Sequence, residues 1–297
     1  MPGTHPTLPE LIALRAKVLA WPPPNRASGA SAGPATAPVR GRGMDYAESR
    51  PYVQGDDARH IDWRVTARTG RTHTKVFHAE RDRVTWLVAD TAPTLYFGTR
   101  CCFKSVQAAY VGALAAWAAQ RSGDRISALR GTLSEAPLPP AGGTRGALRA
   151  LDALNRWYQH APAEDAGLNQ ALASAGRLAK PGARLWVMAD PRSVETCSDA
   201  RLRALSAHHD AMIVLLSDPL ELAPPAARLA FAHAGLRVEL DLERKSARQR
   251  WLEAFAERFE DTRMRLRTLG WRVLSLRTDE APDGVLASLL PHRREAA

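Results

Sequence analysis

The sequence predicts an α/β fold in which a doubly wound, mainly parallel sheet is covered by helices on both faces. From residue 84 onward, short apolar runs alternate with amphipathic segments, which is typical of strands joined by crossover helices. The apolar runs are continuous, as expected for strands that are buried on both sides; examples are VTWLVAD (84–90), RLWVMAD (184–190) and AMIVLLSD (211–218).

The chain before this domain is predicted to contain a helix, a linker and an ordered segment. Residues 8–21 have an amphipathic pattern, whereas residues 22–38 are rich in Pro, Gly, Ser and Ala and offer little to bury. Turn-forming residues dominate up to residue 70 and indicate an ordered loop with short strands, and THTKVFHAE (72–80) alternates like a strand. We therefore divide the chain into residues 1–40, 41–83 and 84–297.

The elements of the α/β domain follow from their apolar spacing. Phe103, Val106, Tyr110 and Trp117 recur at helical spacing, and Gly123 ends that helix. Applied along the domain, the same rules predict strand 84–90, helix 103–120, strand 124–130, helices 144–158 and 167–178, strand 184–190, helix 199–209, strand 211–218, helix 244–269, strand 271–278 and helix 284–290.

Composition indicates a soluble, cytoplasmic protein. The net charge of +10 favours acidic partners, although charges of both signs are mixed along the chain. The 3 cysteines form no CxxC pair, which fits a reducing compartment. No secretory pattern is visible at the start, and the uncharged helical stretch 105–120 is shorter than the ~20 apolar residues of a spanning helix.

Two predicted strands end in an aspartate, Asp90 and Asp190. In open parallel sheets, ligands bind outside the carboxyl ends of the strands, near the point where the strand order reverses. Both carboxylates and the Thr94 hydroxyl could therefore share one divalent cation, and oxygen ligands of this kind suit Mg²⁺ or Mn²⁺. The alternative is that both aspartates accept hydrogen bonds from loop amides and pair with a neighbouring Arg.

The stretch RPYVQGDDARHIDW (50–63) places aromatic residues among many charges. A catalytic role would need two carboxylates in a cleft, but adjacent aspartates point to different sides unless the backbone turns sharply. We instead predict a charge-locked corner: a turn at a glycine, aspartates that cap backbone amides, arginines that pair with them, and a Trp that packs on the domain. The same residues could anchor a partner; they are Arg50, Tyr52, Gly55, Asp56, Asp57, Arg59, Asp62, Trp63 and Arg68.

These stretches also carry a family resemblance. The runs GRGMDYAESRPYVQGDDARHIDWRVTARTG and TKVFHAERD, followed by a strand that ends in Asp and by FGTR, FK and GDR, resemble the bacterial domain-of-unknown-function family fifty-eight. The resemblance extends from about residue 41 to residue 294. Members of that family look like von Willebrand factor A domains, a Rossmann-type fold, preceded by this signature.

The resemblance implies a degenerate metal site. A domains hold their ion with Asp-x-Ser-x-Ser after the first strand, a Thr from a later loop and a distal Asp. By this pattern Asp90 matches the first position, Ala92 replaces the first Ser, Thr94 stands for the second, and Asp190 is the distal Asp. Gly167 stands where the loop Thr would fall, so binding of Mg²⁺ or Mn²⁺ should be weakened.

For function, the resemblance implies a non-enzymatic adaptor that partners a MoxR-type AAA+ ATPase in the maturation of proteins or complexes. Two other classes remain open. A metal-dependent hydrolase would use Asp90 and Asp190 and would lose its Mg²⁺ affinity on Asp90→Ala substitution. A nucleic-acid-binding protein would use the basic balance of the chain, and its binding would fall steeply with added salt.

Overall fold

The computed structural model describes residues 3–21, 44–79, 83–233 and 236–287. Its strands are β1 (Met44–Pro51), β2 (His73–Ala79), β3 (Val84–Ala89), β4 (Arg125–Arg130), β5 (Arg184–Ala189), β6 (Asp210–Ser217), β7 (Arg228–His233), β8 (Leu236–Asp241) and β9 (Arg272–Arg277). Its helices are α1 (Leu8–Leu19), α2 (Trp63–Thr69), α3 (Lys104–Arg121), α4 (Gly143–Trp157), α5 (Gly167–Leu178), α6 (Pro191–Glu195), α7 (Asp199–His208), α8 (Pro219–Leu222), α9 (Lys245–Leu252), α10 (Arg258–Thr268) and α11 (Pro282–Ala287).

A five-stranded parallel sheet with the order β4-β3-β5-β6-β9 forms the centre of the fold. The chain enters this sheet at β3, adds β4 on one side, and then adds β5, β6 and β9 on the other side. The strand order therefore reverses between β3 and β5. This arrangement confirms the predicted doubly wound α/β fold and places the ligand-collecting crevice after Ala89 and Ala189.

Helices cover both faces of the sheet because successive strand residues point to opposite sides. On β3, Leu87 and Ala89 join the core beneath α1, α3 and α4, whereas Trp86 and Val88 join the core beneath α5, α7 and α10. The central strands β3, β5 and β6 are therefore buried along nearly their whole length and mostly apolar, as the continuous runs in the sequence predicted. Among the described residues, no helix combines the length and apolar composition needed to cross a bilayer.

Helix α1 packs within the α/β body, whereas the sequence analysis grouped it with the linker in residues 1–40. Leu11 and Val18 are buried, and the Trp117 indole Nε1–H of α3 donates to the Leu11 carbonyl oxygen at 3.0 Å. By compactness the chain divides into one unit formed by Met1–Asn25 with Arg83–Ala297 and a second unit formed by Arg26–Asp82. An amphipathic helix reveals from sequence that it has a buried face, but it does not reveal what covers that face.

Helix α3 is buried nearly all round because α1 and α4 pack against it. Gly112 permits the close approach of α4, since a Cβ at this position would lie 2.6 Å from Leu154 Cδ1. This packing explains why a run of uncharged residues at 105–120 belongs to a domain core.

Five features differ from the predicted elements. The hairpin β7–β8 and the short helices α6, α8 and α2 were not predicted. The predicted helix 244–269 is interrupted by a π-helical turn at Glu253–Glu257, between α9 and α10. The predicted linker at 22–38 lies outside the described residues.

The second unit contains an antiparallel pair of strands with a helix between them. Strand β1 pairs with β2 from Met44↔Ala79 to Pro51↔His73. Helix α2 begins after Asp62, whose carboxylate accepts from two backbone amides, and ends at Gly70, which has a left-handed φ of 69°. An N-cap aspartate and a C-terminal glycine are ordinary helix signals, so this helix could have been identified in the sequence.

Because α1 is part of the core, truncating its buried face should destabilise the whole α/β body. We expect Leu11→Ala to lower the free energy of unfolding by about 2–5 kcal/mol, measured by urea denaturation. Leu19→Ala on the same helix is the matched control, because Leu19 is 62% exposed and its truncation should change stability by less than about 0.5 kcal/mol. Equal effects of the two substitutions would show that α1 is not packed in the core.

Candidate functional site

The carboxyl ends of β3 and β5 bring Asp90 and Asp190 together at the switch point of the sheet. The backbone N–H of Asp190 donates to Asp90 Oδ2 at 2.9 Å, and both side chains are buried. Thr94 lies in a 3₁₀ turn at Pro93–Leu95, and its buried hydroxyl makes no hydrogen bond with the described residues. The structure therefore joins the two aspartates but does not bring the Thr94 hydroxyl into their hydrogen-bond network.

A buried lysine, which sequence reasoning missed, contacts one of these aspartates. Lys104 is the first residue of α3 and is only 1% exposed. Its Nζ lies 2.6 Å from Asp190 Oδ2 and 2.7 Å from Glu221 Oε1, and the ring of Phe97 lies 5.9 Å away. The signal in the sequence was a lone Lys at the start of a helix that carries no further charge up to residue 120.

Lys104 keeps its charge in this buried position. Burial alone lowers the pKa of an ammonium group, but the carboxylates of Asp190 and Glu221 outweigh that effect and raise the pKa of Lys104 above its usual value. Burial raises the pKa of Glu221, while Lys104 acts in the opposite direction. The cluster is thus a buried ion-pair triad formed by Lys104, Asp190 and Glu221, which we call the lysine triad.

Asp218 connects the lysine triad to two further segments. Its backbone N–H donates to Glu221 Oε2 at 2.8 Å, and its carboxylate accepts from the Thr99 hydroxyl at 2.6 Å and from the Thr278 hydroxyl at 2.6 Å. Burial would raise the pKa of Asp218, but these hydroxyls and the amides of Thr99 and Leu220 hold that pKa below its usual value. Asp218 is therefore an ionised carboxylate that ties β6, β9 and the loop before α3 together.

The residues present do not fit a divalent cation at Asp90 and Asp190. Asp90 Oδ1 accepts from the Ala92 amide at 3.1 Å, and Asp90 Oδ2 accepts from the Asp190 amide. Asp190 Oδ1 accepts from the Arg192 amide at 2.9 Å, and Asp190 Oδ2 accepts from Lys104. All four oxygens already hold a donor, and a second positive charge beside the Lys104 ammonium would be repelled. No group of three or more His, Cys, Asp or Glu within the described ranges has the geometry to hold a metal ion.

Gly167, which stands where the loop Thr of the metal motif was expected, shapes the turn before α5. Gly167 has a left-handed φ of 78°, and its amide donates to Asp165 Oδ1 at 2.9 Å. The Asp165 carboxylate also accepts from the Thr91 hydroxyl at 3.4 Å. This loop therefore contacts the residue after Asp90 through a carboxylate, and it offers no hydroxyl ligand of its own at Gly167.

The predicted corner at 50–63 is organised by an ion pair between Arg50 and Asp56. The guanidinium NH1 and NH2 groups of Arg50 donate to the two carboxylate oxygens of Asp56 at 2.9 and 2.7 Å. Asp56 also accepts from the Val53 amide at 3.0 Å, and the Tyr52 hydroxyl donates to the Asp56 carbonyl oxygen at 3.1 Å. Gly55 supplies the left-handed turn between them, with a φ of 110°. The Arg50 hydrogen bonds and the Val53 amide lower the pKa of Asp56.

The neighbouring aspartates have separate partners. Asp57 accepts from the Arg59 amide at 2.9 Å, whereas Asp62 accepts from the amides that open α2 and from the Ser49 hydroxyl at 2.7 Å. The Ser49 hydroxyl and those amides lower the pKa of Asp62. Asp56 and Asp57 thus bind different groups and do not form a paired acid–base site.

Three details of the predicted corner are different in the structure. Trp63 was expected to pack on the domain, but it is the first residue of α2 and 70% of its surface is exposed. Arg59 and Arg68 were expected to pair with the aspartates, yet neither makes an ion pair with a described residue. Spacing in a sequence does not determine the direction in which a long side chain leaves a short helix.

Similar proteins match the chain over most of its length. The family described as "Protein of unknown function DUF58" matches residues 48–261. The "Uncharacterized protein Rv1480" of Mycobacterium tuberculosis (strain ATCC 25618 / H37Rv) is 30% identical over 265 residues, which cover 87% of this chain and 82% of the relative. The "Uncharacterized protein Mb1516" of Mycobacterium bovis (strain ATCC BAA-935 / AF2122/97) has the same identity and coverage.

The titration of Asp90 should appear in the pH dependence of stability. Burial raises the pKa of Asp90 from 3.8 to about 7, so the folded chain binds more protons than the unfolded chain between these values. The contribution of Asp90 to stability is therefore complete below pH 3.8 and is lost as the pH rises through about 7. We expect the free energy of unfolding of the wild type to fall relative to Asp90→Asn over this interval, by at most about 1.4 kcal/mol per pH unit.

Urea denaturation at a series of pH values measures this difference. Asp152→Asn provides the control, because Asp152 lies on the exposed side of α4 and its replacement should leave the slope unchanged. A difference between the wild type and Asp90→Asn that stays constant with pH would contradict a buried, titrating Asp90.

Proposed function

The chain belongs to the family described as Protein of unknown function DUF58, and from this membership and the geometry of residues 50–63 we propose that it is a non-enzymatic protein-interaction adaptor. We further propose that its partner is a MoxR-type AAA+ ATPase and that the pair acts in the maturation of proteins or complexes. The cytoplasm, the compartment expected from composition, is part of the same proposal.

The observation that carries this proposal is a set of three exposed apolar side chains on the corner. Tyr52, Val53 and Trp63 are 36%, 60% and 70% exposed, and they lie within a stretch of twelve residues, 52–63. Trp, Tyr and Arg are the residues that most often contribute binding energy in protein interfaces. We call this set the corner patch; the Tyr52 hydroxyl donates to the carbonyl oxygen of Asp56, the residue that pairs with Arg50.

Hydrogen bonds within the corner order the backbone that carries the corner patch. The bidentate pair of Arg50 and Asp56 fixes the turn before the 3₁₀ helix Ala58–His60, and Asp62 fixes the first turn of α2. A surface that is already ordered loses less conformational entropy on binding than a flexible loop does. This pre-organisation supports a contact surface rather than a solvated charged loop.

The non-enzymatic part of the proposal rests on the state of the strand-end acids. Asp90 and Asp190 hold a donor at each oxygen, and Asp190 is neutralised by Lys104. A general base must present a free lone pair to its substrate, and a metal-dependent hydrolase must present carboxylates to an ion. Both side chains are almost completely buried, and the Lys104 ammonium opposes a further cation at Asp190, so both features support a structural role for these acids.

The carboxyl edge of the sheet also carries side chains that are typical of protein interfaces. The Arg192 guanidinium lies 4.5 Å from the centre of the Phe255 ring, which belongs to the π-helical turn between α9 and α10. Arg258 pairs with Glu195 at 3.1 Å beside them. Stacked Arg and aromatic side chains at the ligand-collecting edge of the sheet support its use as a second contact surface.

Replacing the central aromatic of the corner patch should weaken partner binding without unfolding the chain. We expect Trp63→Ala to reduce affinity for the ATPase about 30-fold, since truncating an interface anchor costs about 2 kcal/mol or more. The partner would first be recovered by pull-down of the tagged wild-type protein from its own cells, with and without ATP and Mg²⁺. Affinities would then be measured with the purified ATPase by biolayer interferometry.

Leu133→Ala is the matched control, because Leu133 is 84% exposed and lies outside the corner patch. Both variants should keep the wild-type melting temperature. If no AAA+ protein is recovered under any nucleotide condition, the partner proposal is wrong. If Trp63→Ala binds as tightly as the wild type, the corner patch is not the contact surface.

A further inference from the structure

We propose that the ammonium group of Lys104 is a built-in cation that replaces a divalent metal ion at the carboxyl edge of the sheet. Its Nζ bridges Asp190, which follows β5, and Glu221, which lies in α8 after β6, at 2.6 and 2.7 Å. These carboxylates lie at the edge where an α/β fold of this kind would bind an ion through strand-end acids. The inference shares the Lys104–Asp190 pair with the non-enzymatic part of the proposed function, but it does not depend on the corner patch or on an ATPase partner.

The carboxylate oxygens of Asp190 and Glu221 all have donors without any added ion. Asp190 uses its second oxygen to accept from the Arg192 amide, and Glu221 uses its second oxygen to accept from the Asp218 amide. Of the three ammonium protons, two are donated to the carboxylates, and the ring of Phe97 lies 5.9 Å from Nζ. Each oxygen of the two carboxylates therefore has a donor that belongs to the protein.

The position of Lys104 within the chain suits this purpose. The side chain starts from the first residue of α3 and is only 1% exposed, so its ammonium cannot reach bulk water. A buried lysine is stable only if acids neutralise it, and both acids follow strands on the other side of the switch point. One ammonium consequently connects α3, the end of β5 and α8, as a bound ion would connect them.

A chemical rescue experiment tests this inference. Lys104→Ala removes three carbons and the ammonium group, which together correspond to n-propylammonium. The variant should melt about 10 °C below the wild type, because it leaves buried carboxylates without their cation. Millimolar n-propylammonium chloride should restore part of that loss, whereas n-propanol, which has the same shape without the charge, should not.

The wild type provides the second arm. Millimolar Mg²⁺ or Mn²⁺ should leave its melting temperature unchanged, since Lys104 already satisfies Asp190 and Glu221. A metal-induced rise that Asp190→Asn abolishes would overturn the proposal, as would a failure of n-propylammonium to act on a folded Lys104→Ala variant.

If Lys104→Ala does not fold, Lys104→Met tests the same charge balance with the apolar stem retained. Adding Glu221→Gln to Lys104→Met removes one of the two uncompensated charges and should raise the melting temperature above that of Lys104→Met alone. A double variant that is no more stable than Lys104→Met would show that Lys104 does not serve to balance these acids.

Discussion

The lysine triad is the interaction on which the carboxyl edge of the sheet depends. Moving an ammonium and two carboxylates out of water costs several kcal/mol per ion, so the triad is stable only as a complete set. Asp190 and Glu221 lie 86 and 117 residues after Lys104 in the chain, so the three residues of the triad come from separate elements. Any change that moves one of these elements leaves the buried charges of the other two without their full set of partners. The loops of this edge are therefore linked to one another.

The network extends beyond the triad because Asp218 shares its helical turn with Glu221. The capping box of α8 joins the two acids: the Asp218 amide donates to Glu221, while the Asp218 carboxylate binds Thr99 and Thr278. Thr99 lies before α3 and Thr278 follows β9. One set of hydrogen bonds thus runs from the switch point of the sheet to its β9 edge, which explains why α3 is fixed at its first residue.

Whether a structural feature of this chain could be predicted from the sequence depends on how far apart in the chain the interacting residues lie. Continuous apolar runs identify β3, β5 and β6 because such strands are buried on both faces regardless of partner. The burial of Lys104 could not be predicted in the same way, since a lone Lys at a helix start is normally solvated and its acids lie far away in the chain. Hairpin β7–β8 was missed because its two six-residue strands stand apart from the central sheet, in a segment with no long apolar run.

Each strand-end aspartate makes one local contact and one long-range contact with the same side chain. Asp90, Asp190 and Asp218 each use Oδ1 to accept from the backbone amide two residues later, which any Asp at the start of a turn can do. Their second oxygens differ: they bind the Asp190 amide, the Lys104 ammonium, and the Thr99 amide with the Thr278 hydroxyl, respectively. The first contact is evident from sequence, whereas the second requires the fold. A metal motif inferred from strand-end acids alone therefore overlooks what occupies the second oxygen.

The corner at 50–63 is held together mainly by contacts between residues that are close in sequence. The contacts that form its turn join Asp56 with Val53, Tyr52 and Arg50, which lie only three to six positions away, although Asp62 also reaches Ser49. Local contacts of this kind require little loop closure and form without help from the distant core. The surface that we propose for partner binding is therefore specified by its own short sequence, whereas the carboxyl edge exists only in the complete fold. Substitutions in the exposed corner can change binding with little loss of stability. Replacing any residue of the lysine triad, in contrast, leaves buried charges without a partner.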